Sequence, residues 1–279
     1  MMTGAPKGQI GIAQGAALWK LVKPRARINR IMWHDKKIVV VMPAYNAAET
    51  LKKTHEEVLA QGIVDRVIVV DDASSDETVA VARDLADTDV HVHEKNTGYG
   101  ANQKTCYRLA LEAGADIVIM VHPDYQYTPK LIPAMASLIA SDTHPCVMGS
   151  RILGGYALHG GMPLWRYVSN RGLTFAQNLL MGAKLSEFHS GYRAFSADLL
   201  RQLPLENNSD DFVFDAQMLA EILWRQQTIG EISCPTRYAS EASSISFARS
   251  VRYGLGCLLT ALEFRLSRWG VLRSGRFPR

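Results

Sequence analysis

The sequence predicts an α/β fold: a mostly parallel β-sheet with helices on both faces and a helical C-terminal appendage. Two observations carry this. Short apolar runs and helical stretches alternate strictly for over 100 residues from Lys37 onward, as in a sheet built from strand–helix–strand crossovers. Three of the apolar runs also end in polar clusters, Pro43-Ala44-Tyr45-Asn46, Asp71-Asp72-Ala73-Ser74 and His122-Pro123-Asp124. Those are strand carboxyl ends, where such sheets hold their ligands.

The elements follow in order. Residues 38–42 are continuously apolar and read as a strand buried on both faces. Residues 48–61 have helical spacing, with Leu51, Val58 and Leu59 on one side. Residues 67–70 are a second buried strand, 76–86 a helix, 90–93 an alternating third strand, 99–113 a helix and 117–121 a fourth strand. A helix follows Pro129, and 146–149 are a fifth strand. Gly154, Gly155, Gly160 and Gly161 then mark a mobile loop. Helices near 164–181 and 211–226 come next, with 192–196 and 228–234 as further strands. From about 246 to 269, Val251, Leu255, Leu258, Leu259, Leu262 and Leu266 form a helical stripe interspersed with arginines.

The 279 residues suffice for one sizeable core. The net charge of +4 is unevenly spread. Residues 1–37 carry eight Lys/Arg against one acid, and 245–279 carry seven against one. That leaves 16 basic and 25 acidic residues in 38–244. An acidic body with basic ends argues against nucleic-acid binding and favours ends that touch an anionic surface such as phospholipid, or that are simply solvated. The four cysteines form no CxxC pair, which argues against a zinc site or disulfide framework and for a reducing compartment. No run reaches the roughly 18 apolar residues that span a bilayer. The expected location is the cytoplasm, peripheral on the inner membrane face. The expected domains are a basic extension over 1–36, a catalytic domain over 37–244 and a basic amphipathic helix and tail over 245–279.

The series Val40-Val41-Met42-Pro43-Ala44-Tyr45-Asn46, Val69-Val70-Asp71-Asp72-Ala73-Ser74-Ser75-Asp76-Glu77-Thr78, Asn96-Thr97-Gly98-Tyr99-Gly100-Ala101, Gly149-Ser150-Arg151 and Ser190-Gly191-Tyr192-Arg193-Ala194-Phe195 resembles the signature of family 2 glycosyltransferases. It is similar to the branch holding dolichol-phosphate mannose synthase and bacterial polyprenyl-phosphate glycosyltransferases, over roughly residues 37–240. The resemblance implies a GT-A type, Rossmann-like fold. It also implies sugar transfer from a nucleotide-sugar with inversion, a divalent metal (Mn or Mg), and a polyprenyl phosphate or other membrane-associated acceptor.

On that reading Pro43, Tyr45, Asn46, Asp71, Asp72, Gly98 and Arg151 form the nucleotide-sugar site. A carboxylate at a strand end accepts from a base N–H or holds ribose hydroxyls, and a guanidinium fork binds phosphate oxygens. The alternatives are a helix cap for one of the two aspartates and a surface ion pair for either arginine, Arg151 or Arg193. The segment His122-Pro123-Asp124-Tyr125-Gln126 occupies the place of the family's metal-binding DxD. Asp124 is the main expected ligand, with Gln126 and His122 as further candidates. The family usually has Asp where His122 stands, so His122 is a manganese ligand, a phosphate donor or a structural residue. Asp124, Arg193 and Asp215 are the catalytic candidates. Asp215 is a general base only if the acceptor is a hydroxyl, because a phosphate acceptor is already anionic. Glu49 reads as a first-turn acid, and His189 as lining the site or structural. Arg237 is a further phosphate-facing candidate, and Glu241 and the Ser243-Ser244 pair replace the family's usual Ser-Lys ending.

Two rival functions stand beside this one. A nucleotidyltransferase would carry a Gly-rich segment and a Lys after the first strand, which Pro43-Ala44-Tyr45-Asn46 does not. A degenerate, non-catalytic nucleotide-sugar binder is kept open by His122 and Ala47.

Overall fold

A computed structural model describes residues 35–236 and 247–278. Seven strands form one sheet in the order β3-β2-β1-β4-β6-β5-β7. They are β1 (Ile38–Ala44), β2 (Arg66–Asp71), β3 (Thr88–Val92), β4 (Ile117–Met120), β5 (Cys146–Ser150), β6 (Arg193–Ser196) and β7 (Ile229–Ser233). The helices are α1 (Ala48–Leu59), α2 (Thr78–Arg83), α3 (Tyr99–Glu112), α4 (Ile132–Ala140), α5 (Leu164–Met181), α6 (Ala197–Gln202), α7 (Phe214–Trp224) and α8 (Phe247–Arg268).

All pairings are parallel except those of β6, which runs antiparallel between β4 and β5. The reversal has a consequence for the site. It sets the first residue of β6, Arg193, between Met120 and Met148, at the edge where the parallel strands end.

Every residue of β1 is buried, which is why its sequence is an unbroken apolar run rather than an alternation. The pleat sorts those residues onto two cores. Val39, Val41, Ile68, Val70, Val118 and Met120 face α3, α7 and α8. Ile38, Val40, Met42, Val67, Val69, Ile117 and Ile119 face α1, α2 and α4. The tail joins the first of these cores, because Ala261 and Phe264 of α8 and Phe277 beyond it are buried there.

The glycines of the loop after β5 serve close approach: a Cβ on Gly154 or Gly160 would meet Ser233 or the Thr236 carbonyl. No helix among the described residues is long and apolar enough to cross a membrane. Residues 1–34 and 237–246, including Arg237, Glu241 and the Ser243-Ser244 pair, lie outside the described residues.

Candidate functional site

The loops after β1, β2 and β4 meet at one edge of the sheet. Each turns through a non-glycine residue in the left-handed region: Asn46 (φ 48), Ala73 (φ 57) and Tyr125 (φ 57). Backbone of this kind persists where neighbours over-determine it, and it clusters at ligand sites. Here the first two loops fix each other. Asn46 N–H donates to Ser74 Oγ at 2.8 Å, and Asn46 Oδ1 accepts from Ser75 N–H at 2.9 Å. Thr78 Oγ1 and Asp76 Oδ2 accept from the N–H groups of Ala47 and Ala48. They cap α1, which otherwise has no side-chain cap. Glu49 lies in its first turn, as expected from the dipole.

Asp71 and Asp72 are both buried, at 0% and 3% exposure. The Asp71 carboxylate accepts from Ser74 N–H at 2.9 Å and from the Ser74 hydroxyl. Asp72 Oδ1 accepts from Thr97 N–H and Thr97 Oγ1, both at 2.8 Å, and lies 2.8 Å from His93 Nδ1. Its Oδ2 accepts from Gly98 N–H at 2.9 Å. Burial opposes ionisation of Asp72, but the donors from His93, Thr97 and Gly98 outweigh it and hold the carboxyl below its usual range. Gly98 (φ 102) is required by sterics as well, because a Cβ there would sit 2.6 Å from the Asp210 carbonyl. Gly100 N–H donates to that same carbonyl at 2.7 Å. Pro43 is buried at the end of β1, whereas Tyr45 and Asn46 are exposed beside it.

After β4, Asp124 is exposed and its Oδ1 accepts from Gln126 N–H at 3.0 Å. This two-residue turn aims the carboxylate outward. Gln126 is half-buried, and the Lys53 ammonium lies 3.9 Å above the Tyr125 ring. His122 turns its Nε2 to Tyr99. Its Nε2 lies 3.2 Å from Tyr99 Oη, and Tyr99 donates to Asp215 Oδ2 at 2.8 Å.

Asp215, in the first turn of α7, is only 6% exposed. Its Oδ1 accepts from Gln103 Nε2 at 3.2 Å and lies 3.4 Å from Arg193 Nη1. Arg193 is fully buried. Its guanidinium donates to the carbonyls of Ser190 (2.8 Å), Asp215 (2.7 Å) and Phe188 (3.0 Å). Arg151 sits on Glu187, with Nη2 2.8 Å from Oε2 and the backbone N–H 2.6 Å from Oε1, and it also donates to the His189 carbonyl. Burial works against the Glu187 charge, but Arg151 and Asn170 keep the carboxyl below its usual range. Burial pushes the His189 imidazole down to about 4, and its Nδ1 lies 2.8 Å from the Tyr253 hydroxyl.

The structure therefore brings Tyr45, Asn46, Gly98, His122, Asp124 and Asp215 to one edge of the sheet, with Asp71 and Asp72 beneath the loops and both arginines engaged in ion pairs. Tyr99, Gln103 and Glu187 were not singled out from sequence. For the first two a signal existed: they stand four apart in the first turns of α3 and so share a face.

A family model, Glycosyl transferase family 2, matches residues 39–203. UDP-N-acetylglucosamine–dolichyl-phosphate N-acetylglucosaminyltransferase of Methanococcus voltae is 29% identical over 238 residues, covering 80% of this chain and 92% of that protein. Undecaprenyl-phosphate mannosyltransferase of Micrococcus luteus is 32% identical over 178 residues, covering 61% and 70%. Among solved structures, glucosyl-3-phosphoglycerate synthase from Mycobacterium tuberculosis, crystallised with Mn2+, UDP and glucosyl-3-phosphoglycerate, superposes with a TM-score of 0.65 at 19% identity over 88% of this chain and 85% of that one. That likeness bears on the fold, which is the GT-A type. With the family model spanning more than half its length, the chain belongs to glycosyl transferase family 2.

Proposed function

We propose that this glycosyltransferase moves a sugar from a nucleoside-diphosphate donor to a polyprenyl phosphate, and that it works lying against a membrane. The relatives named above act, by their names, on dolichyl and undecaprenyl phosphates. The observation that carries the acceptor assignment is a two-helix apolar face. Leu164, Val168, Phe175 and Leu179 of α5 and Leu255 and Leu259 of α8 are each 57 to 71% exposed. The two helices adjoin: Gly254 packs on Leu173, and Arg265 donates to the Leu179 carbonyl at 2.7 Å. Arg171, Lys184 and Arg252 are exposed around them. Apolar side chains at the level of acyl chains, with cations reaching anionic headgroups, are how a helix lies in an interface. A cavity of about 440 Å³ between the loop after β5 and the flank of α5, lined by Leu153, Tyr167, Phe175 and Leu185 among others, opens beside that face.

In this reading Tyr45, Asn46 and the Gly98 turn present the nucleotide surface, and Pro43, Asp71 and Asp72 shape it from below. Arg151, locked on Glu187, fixes the sugar side. The outward carboxylate of Asp124 fits a hard divalent cation, with Gln126 as a second oxygen. A cation held there, Mn or Mg, would offset charge on the departing diphosphate. An acceptor phosphate oxygen attacks the anomeric carbon as the bond to the diphosphate oxygen breaks, which inverts that carbon. Asp215 is nearly buried with both oxygens occupied, so it is a poor free base. A phosphate acceptor needs none, and Arg193 acts by holding the Asp215 turn in place.

The test is transfer from UDP-, GDP- and dTDP-sugars to a polyprenyl phosphate in mixed micelles, with Mn2+, Mg2+ or chelator. Transfer from one nucleotide class, abolished by chelator and reduced about 100-fold in Asp124→Asn, is the expected result. Tight nucleotide binding without turnover of any donor, hydrolysis included, would sink it and favour a non-catalytic binder. Leu255→Glu/Leu259→Glu is expected to lose sedimentation with anionic vesicles while binding nucleotide normally. Equal sedimentation of that variant removes the membrane role.

A further inference from the structure

The ring of His122 is the family departure in the metal-binding segment, and its surroundings assign it a different task. Tyr99 stacks on it (centroids 5.5 Å apart, planes at 14°) and also on Phe212 (4.7 Å). Gly191 makes room: a Cβ there would lie 2.5 Å from His122 Nε2 and 3.0 Å from Tyr99 Oη. Three separate segments, the β4 end, the α3 start and the turn before β6, are thus shaped around one contact.

The direction of the hydrogen bonds follows from counting hydrogens. Tyr99 has one hydroxyl hydrogen and gives it to Asp215 Oδ2 at 2.8 Å, since a carboxylate paired with a guanidinium accepts. At 3.2 Å from Tyr99 Oη, His122 Nε2 must then be the donor and carry the proton. Nε2 then has no lone pair to offer a cation; in the neutral ring the lone pair is on Nδ1.

We propose that His122 and Tyr99 are positioning residues for the transfer reaction and that His122 Nε2 is committed to Tyr99 rather than to the cation. The chain His122 Nε2–H to Tyr99 Oη–H to Asp215 ties the end of β4, and with it the Asp124 turn, to α3 and α7. It holds the cation-facing carboxylate in register with the Gly98 loop. This rests on the transfer reading above.

The test combines metal binding with kinetics. Binding of Mn2+ in the presence of nucleoside diphosphate is measured by electron paramagnetic resonance on the full chain and on Tyr99→Phe, His122→Leu and His122→Gln. Steady-state kcat and donor KM are measured in parallel. Tyr99→Phe keeps the ring and removes only the link. Gln keeps an N–H donor at the reach of Nε2, and Leu does not. The expected result is Mn2+ affinity within about twofold of wild type in all three, with kcat lower by about tenfold or more in Tyr99→Phe and His122→Leu and donor KM little changed. His122→Gln should recover most of the rate, and the Tyr99→Phe/His122→Leu double variant should be no slower than either single one. A loss of Mn2+ affinity of about tenfold or more in both His122 variants overturns the proposal in favour of ligation. Wild-type kcat in Tyr99→Phe overturns it as well. If the unaltered protein binds no nucleotide with Mn2+, the transfer reading itself fails and takes this one with it.

Discussion

The two halves of the sheet hold their buried acids in different ways. Around β1, β2 and β3, Asp71 and Asp72 are solvated by N–H and O–H donors at most 26 residues from themselves, and the loops these bonds shape carry the motifs that resemble the family signature. Around β4, β6, β5 and β7, Asp215 and Glu187 are paired with Arg193 and Arg151, and Tyr99 reaches Asp215 from 116 positions away. The first arrangement is local, so it survives as a readable motif. The second is an assembly of distant segments that exists only once the fold is complete. It should therefore be the more costly to disturb.

That expectation breaks first, or holds, at Arg193. Replacing it with Met leaves the Asp215 carboxylate without its cation and removes the donors from three buried carbonyls. Removing one partner of a buried pair costs far more than the pair contributes. The expected loss is about 4 kcal/mol, read from the urea midpoint. Asp124→Asn, at an exposed carboxylate, should leave that midpoint unmoved. A loss under about 1 kcal/mol for Arg193→Met would mean the two halves are not different in kind.

Glu221 of α7 sharpens the comparison because it is an acid of the second half with no close counter-ion. It is fully buried, and the neutral side chain of Asn208 lies beside its carboxylate. Burial pushes it up to about 7, with Glu263 adding to the push and Asn208, Arg225 and Arg276 pulling more weakly the other way. An acid raised in the folded state contributes its stability below the unfolded value, near 4.5, and loses it as pH rises through about 7. Wild type should therefore weaken between about pH 4.5 and 7, and Glu221→Gln should not. At pH 8 the variant is expected to be more stable by about 3 kcal/mol. Parallel pH profiles of the melting temperature for the two proteins would refute this.

How much was legible follows the same division. β1, β2 and β4 show as apolar runs because both faces of each are covered, and the loops that end them show as motifs because their partners are close in sequence. The antiparallel direction of β6 is invisible in its own four residues, since Ala194 and Phe195 are buried in either orientation. The six-residue α6 is too short to display a helical period. Asp71 and Asp72 read from sequence as ligands for a nucleotide; in the fold Asp71 bonds Ser74 of its own loop and Asp72 bonds His93, Thr97 and Gly98 after β3, partners that residue type does not encode. The apolar stripe of α8 was readable. Its division into a buried face through Cys257, Ala261 and Phe264 and an exposed one through Leu255 and Leu259 depends on α5 lying beside it.

The smallest effect belongs to the first half, at Ser74. Its hydroxyl donates to the buried Asp71 carboxylate and accepts from Asn46 N–H, so Ser74→Ala removes one bond to each loop. Asp71 keeps the Ser74 N–H, and Asn46 stands where water reaches it. The carboxylate is thus left under-solvated rather than unpaired, at a cost of about 1 to 2 kcal/mol. The functional consequence should exceed the thermodynamic one. Asn46 is held in the left-handed region partly by this contact, so nucleotide affinity is expected to fall by about tenfold while the fold stays intact. A Ser74→Ala protein that binds nucleotide as wild type does would show that Asn46 Oδ1 on Ser75, with Thr78 and Asp76 on the start of α1, fixes the two loops without the Ser74 hydroxyl. The hydroxyl bridge would then be dispensable to the surface it joins.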